Sequence, residues 1–347
     1  MNAPFRLYGA ELSPYSIKVR SYLRFKGLAF EWLQRTNARQ EEFQRYAKLP
    51  LIPVLVDAED RAMQDSTPII EALEAQHAEP ALAPAEPALA FVAALLEDYA
   101  DEWLNKAMFH YRWSYPADQE SAARRIVDGI FDSADKPDGM ESAVRARMIG
   151  RLHYVGSSAE TAPAIEASFV RLLTILDRML AARAYLFGGR PSLADFGLAG
   201  QLVQLLSDPT PGALIKAQAP NVVRWIDRME NPEVEGAFVP LASLRADLVE
   251  LLRVEVAGAY LPWMAANAEA VEEDEAFFNV DIDGASFRQR PQRYAAKAYA
   301  ELQRKRGLAD DAALAALLGE TGCDAFLLSS PGDDGGGDDG DAGEGED

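Results

Sequence analysis

The stretch Phe5–Gly27, FRLYGAELSPYSIKVRSYLRFKG, predicts a strand, a turn and a helix in close succession. A short apolar run leads into Ser13 and Pro14, and proline suits the first turn of a helix because its missing N–H needs no partner there. Apolar residues then recur every three or four positions, and Gly27 is placed to end the helix. The stretch therefore predicts the start of an α/β domain.

The segments that follow predict a βαβαββα order up to residue 78. They are a strand at AFEWLQ (29–34), a helix at EEFQRYAK (41–48), a hairpin at PVLVD (53–57) and RAMQ (61–64), and a helix at STPIIEALEAQH (66–77). Ser66 is the predicted N-cap of this last helix. Because a βαβ crossover makes its strands parallel and a short turn pairs strands antiparallel, the first two strands are predicted to be parallel and the last two antiparallel.

The composition changes after residue 78. Residues 79–88 are rich in Pro and Ala and are predicted to form a linker, and residues 89–235 are predicted to form an all-helical domain. Its helical stretches are 88–113, 119–132, 140–155, 163–185, 192–207 and 219–230. Ser192 and Asp195 have the spacing of a capping pair, which we interpret as structural.

Residues 236–330 form a C-terminal extension of unknown role. A helix is predicted within 241–272, a hairpin near 277–289 around Asp283 and Gly284, and further helices at 292–306 and 310–319, each ended by a glycine. The acidic, glycine-rich tail 331–347 cannot bury enough apolar surface to fold and is predicted to be disordered.

Charge and cysteine content exclude several classes of function. The 347 residues contain 34 Lys and Arg against 55 Asp and Glu, a net charge of −21. This excess argues against nucleic acid or an anionic membrane surface as partner. The single cysteine, Cys323, excludes an intramolecular disulfide, a thiolate zinc site and a CxxC redox pair.

Location and metal binding are predicted from what the sequence lacks. No apolar run approaches the roughly 20 residues that span a bilayer, and the first residues lack a signal layout, so no membrane association and a cytoplasmic location are expected. His77, His110 and His153 have no metal-ligand spacing, and no metal is predicted.

Four segments, LYGAELSPYSIKVRSYL, LIPVLVD, QDSTPIIEALE and GGRPSLADFGLA, resemble in their order and spacing the cytosolic glutathione transferases. The resemblance covers about residues 1–231. It implies a thioredoxin-like βαβαββα domain (1–78) that binds glutathione as co-substrate, followed by an all-α bundle that forms most of a second-substrate pocket. The fold class is therefore this α/β domain and bundle with a C-terminal α+β extension. A small hydrophobic electrophile and a homodimer are also implied.

Ser13 is the implied catalytic residue, since the family places a Ser, Tyr or Cys at this turn to activate the glutathione sulfur. A thiol has a pKa of about 8.5. A hydrogen bond to a charged acceptor contributes about 1.5–3 kcal/mol and a helix end about 0.3–1 kcal/mol, which together lower that pKa by one to two units. A capping role alone stays open for Ser13, with Ser16 and Tyr15 as alternative catalytic residues.

The resemblance assigns glutathione contacts to Ile52, Pro53, Asp65 and Ser66. Pro53 is implied to be cis, so that the backbone of Ile52 contacts the cysteine of glutathione as an added strand would. The Ser66 hydroxyl and free N–H groups would receive the γ-glutamyl carboxylate, and Asp65 would receive the ammonium. The alternatives are an ordinary proline at the start of a strand and ordinary helix capping.

The chain departs from the family before the proline. The family often has Lys or Gln there to hold the glycine carboxylate, and this chain has Leu51. Lys48, Arg39 and Arg35 are the alternatives. The absence of a cysteine at the active-site turn argues against the thiol-transferase and dehydroascorbate-reductase branch.

An aromatic face on the first bundle helix has two interpretations. Tyr99, Trp103 and Lys106 share one side of that helix, and His110 with Trp113 continues it. Such a face belongs to the core or to domain packing, or it lines an apolar pocket.

The resulting prediction is an enzyme in which a bound thiolate attacks a small electrophile or peroxide. A glutathione-dependent isomerase or dehalogenase is an alternative. The other alternative is a protein that has the transferase fold but no efficient chemistry. Such a protein would present residues 236–330 to a partner.

Overall fold

The computed structural model describes residues 4–131 and 136–328. It begins with a four-stranded sheet and three helices. The elements are β1 (Phe5–Gly9), α1 (Pro14–Phe25), β2 (Phe30–Gln34), α2 (Gln40–Tyr46), β3 (Val54–Val56), β4 (Ala62–Gln64) and α3 (Ser66–Gln76). The strand order is β2-β1-β3-β4, with β1 parallel to β2 and β3 antiparallel to both β1 and β4. The predicted order and strand directions are confirmed.

The two faces of this sheet bury alternate residues, as the pleat requires. Leu7 and Leu55 join the main core together with buried residues of α1 and α3. Tyr8 and Val54 point to the other face and pack with Phe43 of α2. The side-chain period of the strands therefore holds α1 and α3 on one face and α2 on the other.

The helical domain follows the predicted stretches with one omission. Its helices are α4 (Pro87–Tyr99), α5 (Asn105–Ser114), α6 (Pro116–Ile130), α7 (Met140–Ile149), α8 (Ala162–Leu180), α9 (Leu193–Ser207), α10 (Pro209–Gln218) and α11 (Pro220–Glu230). A π-helical segment, Ala100–Leu104, joins α4 to α5. Helix α10 was not predicted, because its prolines were interpreted as a break although proline at N1 begins a helix.

The extension is folded onto the bundle. It comprises α12 (Leu241–Leu251), a π-helical segment (Leu252–Tyr260), α13 (Leu261–Glu272), β5 (Phe278–Ile282), β6 (Ala285–Gln289), α14 (Arg293–Leu308), α15 (Ala312–Thr321) and α16 (Asp324–Leu327). Strands β5 and β6 form the predicted hairpin, with both turn residues at positive φ. The predicted C-terminal ends of two helices were wrong. Helix α14 continues through Gly307, and the C-cap of α15 is Gly322 (φ 82°) rather than Gly319.

The apolar residues of the extension belong to the same core as the bundle. The ring of Tyr260 packs edge-on against Tyr99, and Trp263 lies 6.2 Å from Trp103 between ring centroids. In the described ranges no helix is both long enough and apolar enough to cross a bilayer. The tail 331–347, predicted to be disordered, lies outside the described residues.

Candidate functional site

Three predicted site segments meet at one edge of the sheet. Residue Tyr8 of β1 pairs with Val54 of β3, so the turn that follows β1 lies beside the start of β3. Val54 also pairs with Gln64 of β4, and the Asp65 amide donates to the Pro53 carbonyl at 3.4 Å. The sheet therefore brings the Ser13 turn, Ile52–Pro53 and Asp65–Ser66 to the same edge.

Ser13 is the N-cap of α1, with an extended backbone (φ −103°, ψ 112°). Its Oγ accepts hydrogen bonds from the Ser16 amide at 3.2 Å and from the Ser16 hydroxyl at 3.0 Å. A hydroxyl oxygen has two lone pairs, so these bonds occupy its accepting capacity and leave its proton for another acceptor. Ser13 is thus oriented as a donor at the positive end of a helix.

The turn before Ser13 is held by the helical domain. Arg112 donates to the Leu12 carbonyl at 3.2 Å, and Gln204 donates to the Glu11 carbonyl at 2.9 Å. Arg112 is itself fixed by Asp208 at 2.7 Å, and both charges are buried. This support was not predicted, since its members lie about 100 or more positions from the turn and form no local motif.

The Ile52–Pro53 peptide bond is cis, as the resemblance implies. Within the part of the chain that the structure describes, neither the amide nor the carbonyl of Ile52 has a hydrogen-bond partner. Unpaired backbone beside a strand is the arrangement that binds an extended peptide. Its predicted contact with glutathione stays a prediction.

Asp65 and Ser66 differ from the predicted cap. Asp65, and not Ser66, is the cap residue of α3, and it has φ 82° and ψ 137°. Such a backbone costs of order 1–3 kcal/mol in a non-glycine residue and is concentrated at functional sites. Ser66 is the first helical residue, and its Oγ is buried without a hydrogen-bond partner among the described residues. An orphaned hydroxyl beside free helix amides suits a carboxylate ligand.

Two ranges of the chain match models of known protein families. Residues 7–81 match the family model described as glutathione S-transferase, N-terminal domain, and residues 145–228 match the one described as glutathione S-transferase, C-terminal domain. The two matched ranges belong to the glutathione S-transferase superfamily. The extension from residue 236 lies beyond both matched ranges.

The individual relatives of this chain have low sequence identity to it. It is 26% identical over 229 residues to the isoprene-epoxide–glutathione S-transferase of Rhodococcus sp. (strain AD45), covering 63% of this chain and 92% of that protein. A glutathione S-transferase of Methylobacterium radiotolerans, solved with glutathione sulfonate, is 23% identical with a TM-score of 0.42, over 69% of this chain and 97% of that one. A β-etherase of Sphingobium sp. strain SYK-6 is 20% identical with a TM-score of 0.48, over 65% and 95%.

Of the three alternatives for holding a glycine carboxylate, Arg35 has a side chain that contacts the loop before Pro53. Lys48 lies in that loop, and among the described residues its side chain makes no hydrogen bond or ion pair. The Arg35 guanidinium donates to the Pro50 carbonyl at 2.8 Å and lies over the Phe43 ring. Burial lowers the pKa of Arg35. Arg39 instead faces Glu42 at 3.7 Å. Arg35 is therefore the strongest of the three, and its role is still a prediction.

A buried charge network joins the two domains beside the site. Lys18 of α1 is 1% exposed and pairs with Glu97 and, at 2.6 Å, with Asp101. It also donates to Thr67 of α3 at 3.0 Å. Burial raises the pKa of Asp101 to about 7 although Lys18 opposes the shift. In the sequence, only the acidic run 97–102 indicates this network, and the network was not predicted.

The aromatic face of α4 and α5 is covered by the extension. Trp103 donates to Ser168 at 2.9 Å, and Lys106 donates to Gln289 at 3.2 Å with its Nζ 3.6 Å from the centre of the Trp263 ring. All of these side chains are buried. The face is therefore core packing, and the interpretation as the lining of an open pocket was wrong for Trp103 and Lys106.

The remaining predicted residues have structural contacts. His110 lies 2.8 Å from Ser157 and 3.0 Å from Glu166. Ser192 caps α9, its amide donating to Asp195 at 2.9 Å, as predicted.

The single cysteine is buried in the described part of this chain. Burial raises the pKa of the Cys323 thiol to about 11, so that thiol is protonated at neutral pH. No group of three or more His, Cys, Asp or Glu side chains within residues 4–131 and 136–328 is arranged to hold a metal ion.

Lys106 predicts a pH dependence of stability. Burial lowers its pKa to about 7, and Glu102 only partly opposes the shift. The unfolded chain, with an ordinary lysine pKa near 10.4, binds more protons above pH 7, so folding is favoured as pH rises from 7 towards 10. Between pH 7 and 9 this contributes about 2 kcal/mol to the free energy of unfolding.

Urea denaturation of wild type and Lys106→Met across this pH range measures the contribution. The wild-type curve should rise by at least that amount relative to the variant, because removing Lys106 also removes the charge that holds down the pKa of Glu102. Lys297→Met, at an exposed lysine of α14, is the matched control and should follow the wild type. Parallel curves for wild type and Lys106→Met would contradict the prediction.

Proposed function

We propose that this protein is a glutathione transferase in which Ser13 stabilises the glutathione thiolate. The proposal rests on the hydrogen bonds of the Ser13 hydroxyl. This hydroxyl accepts two hydrogen bonds from Ser16 at the start of α1, so it is available to a ligand as a donor. Its proton would be donated to the sulfur, with the positive end of α1 behind it. The proton of the thiol would leave to solvent, and no base on the protein is needed.

Further groups near the Ser13 turn would make the other contacts with glutathione. The backbone of Ile52, next to the cis Pro53, would pair with the cysteine of glutathione. The orphaned Ser66 hydroxyl and the free amides of α3 would hold the γ-glutamyl carboxylate. Asp65 would accept the ammonium, and Arg35 would hold the glycine carboxylate.

The second substrate is proposed to be a small apolar electrophile. In the reaction a sulfur–carbon bond forms while the bond from that carbon to its leaving atom breaks. With an epoxide, the leaving atom is the ring oxygen, which takes a proton from water. The name of the Rhodococcus relative favours an epoxide. A homodimer and a cytoplasmic location are carried as predictions from the sequence.

A binding protein without efficient chemistry is the second candidate. One observation favours it: the extension covers the aromatic face that a second-substrate pocket would use. Glutathione binding without turnover of any electrophile would support this candidate over the enzyme.

The decisive experiment is a calorimetric titration with reduced glutathione, followed by conjugation assays with an aryl halide and a small epoxide. Absence of binding at millimolar glutathione would refute the enzyme and the glutathione-binding candidate together. Binding with conjugation supports the proposal.

Asp65→Asn tests the ammonium contact within the same titration. Removing the charge should weaken glutathione binding about 10- to 100-fold, the value of a hydrogen bond to a charged group. The melting temperature should be unchanged, because Asn tolerates positive φ as well as Asp. Asp60→Asn is the matched control, since Asp60 also has positive φ (61°) and lies in an exposed turn. Equal affinity of Asp65→Asn and wild type would remove Asp65 from the site.

A further inference from the structure

We propose that the C-terminal extension completes the glutathione site, with Tyr294 holding the Asp65 carboxylate in position for the ammonium of the ligand. The proposal rests on the function proposed above. The Tyr294 hydroxyl donates to Asp65 Oδ2 at 2.6 Å, a contact between residues 229 positions apart. In the described part of the chain, Asp65 Oδ1 accepts no hydrogen bond, so one carboxylate oxygen is left for a ligand.

Helix α14 brings Tyr294 to this position independently of the contact with Asp65. Two residues earlier, the Gln292 amide donates to Asn267 at 2.7 Å, and the Asn267 side chain donates back to the Gln292 carbonyl at 3.0 Å. Asn267 is fully buried in α13. The start of α14 is therefore fixed by core contacts, which makes the hydroxyl preorganised for Asp65.

A second contact joins α14 to α3. Lys305 pairs with Glu71 at 2.7 Å, further along the same two helices. The ring of Tyr294 is 58% exposed although its hydroxyl is bonded. The ring thus lies at the rim of the site, where it leaves access to the free oxygen of Asp65.

The chemistry of the contact suits a cationic ligand group. A tyrosine hydroxyl orients a carboxylate without neutralising it, whereas an Arg or Lys would compete with an ammonium for the same charge. Burial raises the pKa of Tyr294, and the hydrogen bond to Asp65 raises it further. The hydroxyl is therefore protonated at neutral pH and acts as a hydrogen-bond donor to Asp65.

Tyr294→Phe tests the proposal by titration with glutathione and with its analogue that lacks the amino group, glutaryl-cysteinyl-glycine. The dissociation constant for glutathione should rise three- to tenfold, while that for the analogue should stay within twofold of wild type. In conjugation assays KM for glutathione should rise with kcat unchanged. Tyr154→Phe, at a tyrosine that is 54% exposed, is the matched control and should behave as wild type.

The outcomes separate the two proposals. Wild type that fails to bind glutathione overturns both. Wild type that binds, with Tyr294→Phe binding equally well, overturns the role of Tyr294 alone. Tighter binding by Tyr294→Phe also overturns it, because the hydroxyl would then block the site. An equal loss for glutathione and the analogue would indicate a general structural effect, which overturns the ammonium-specific role, and melting temperatures would detect any unfolding.

Discussion

Ser13→Ala is expected to lower kcat/KM for glutathione conjugation about 10- to 100-fold. The variant removes the hydrogen bond to the thiolate, which contributes about 1.5–3 kcal/mol when the acceptor is charged. The dipole of α1 and its free amides remain, so activity should fall without disappearing. The apparent pKa of the bound thiol should rise by one to two units.

The pH profile of kcat/KM distinguishes this mechanism from a simple loss of structure. The thiolate is the reactive form, so activity rises with pH through the thiol pKa. With that pKa raised in Ser13→Ala, the deficit should be largest near neutral pH and shrink at alkaline pH. Ser243→Ala, an exposed serine on α12, is the matched control. A deficit that is constant with pH would contradict the role of Ser13.

Ser13→Ala also removes an N-cap, which costs about 1 kcal/mol of stability. Urea denaturation at the assay temperature gives the folded fraction, and rates are compared after correction for it. Ser16→Ala should have a smaller effect than Ser13→Ala, because Ser16 orients Ser13 without touching the ligand. A larger effect would move the catalytic role to Ser16.

Local signals in the sequence were sufficient for most of the fold and for the position of Ser13 as the N-cap of α1. Proline at N1 of α1, the alternating strands and the Asp283–Gly284 turn each act within a few residues, and each was predicted correctly. The π-helical segments and the position of Asp65, rather than Ser66, as the N-cap residue of α3 were not predicted. They arise where tertiary contacts override the local preference, as at φ 82° of Asp65.

Contacts between distant elements could not be predicted from one sequence. Tyr294 and Asp65 are 229 positions apart, and Arg112 lies 100 positions from Leu12. No periodicity or motif connects such pairs, because they depend on how finished helices pack. The extension illustrates the same point, since its length was evident but the surface that it covers was not.

Lys18→Met is expected to lower the free energy of unfolding by about 3–5 kcal/mol, the usual cost of leaving a buried charge without its partner. Burial lowers the pKa of Lys18, but Asp101 and Glu97 outweigh it and raise that pKa overall, so Lys18 is charged in the folded chain. Because Lys18 lies on α1 and its acidic partners on α4 and the π-helical segment, the loss should loosen the contact between the domains. Urea denaturation measures it, with the exposed Lys216→Met as control.

The pH dependence of this deficit identifies its cause. Without Lys18, the pKa of Asp101, already raised to about 7 by burial, should rise further. The folded variant then binds more protons than the unfolded chain, in which an Asp has a pKa near 3.9, so its stability falls as pH rises through this window. The deficit should therefore be smaller at pH 5 than at pH 8. Combining Lys18→Met with Glu97→Gln and Asp101→Asn should recover most of the stability, because neither acidic partner of Lys18 is then left as a buried, unpaired charge. A deficit below about 1 kcal/mol, or one equal at both pH values, would show that water reaches these carboxylates and that the network does not hold the domains together.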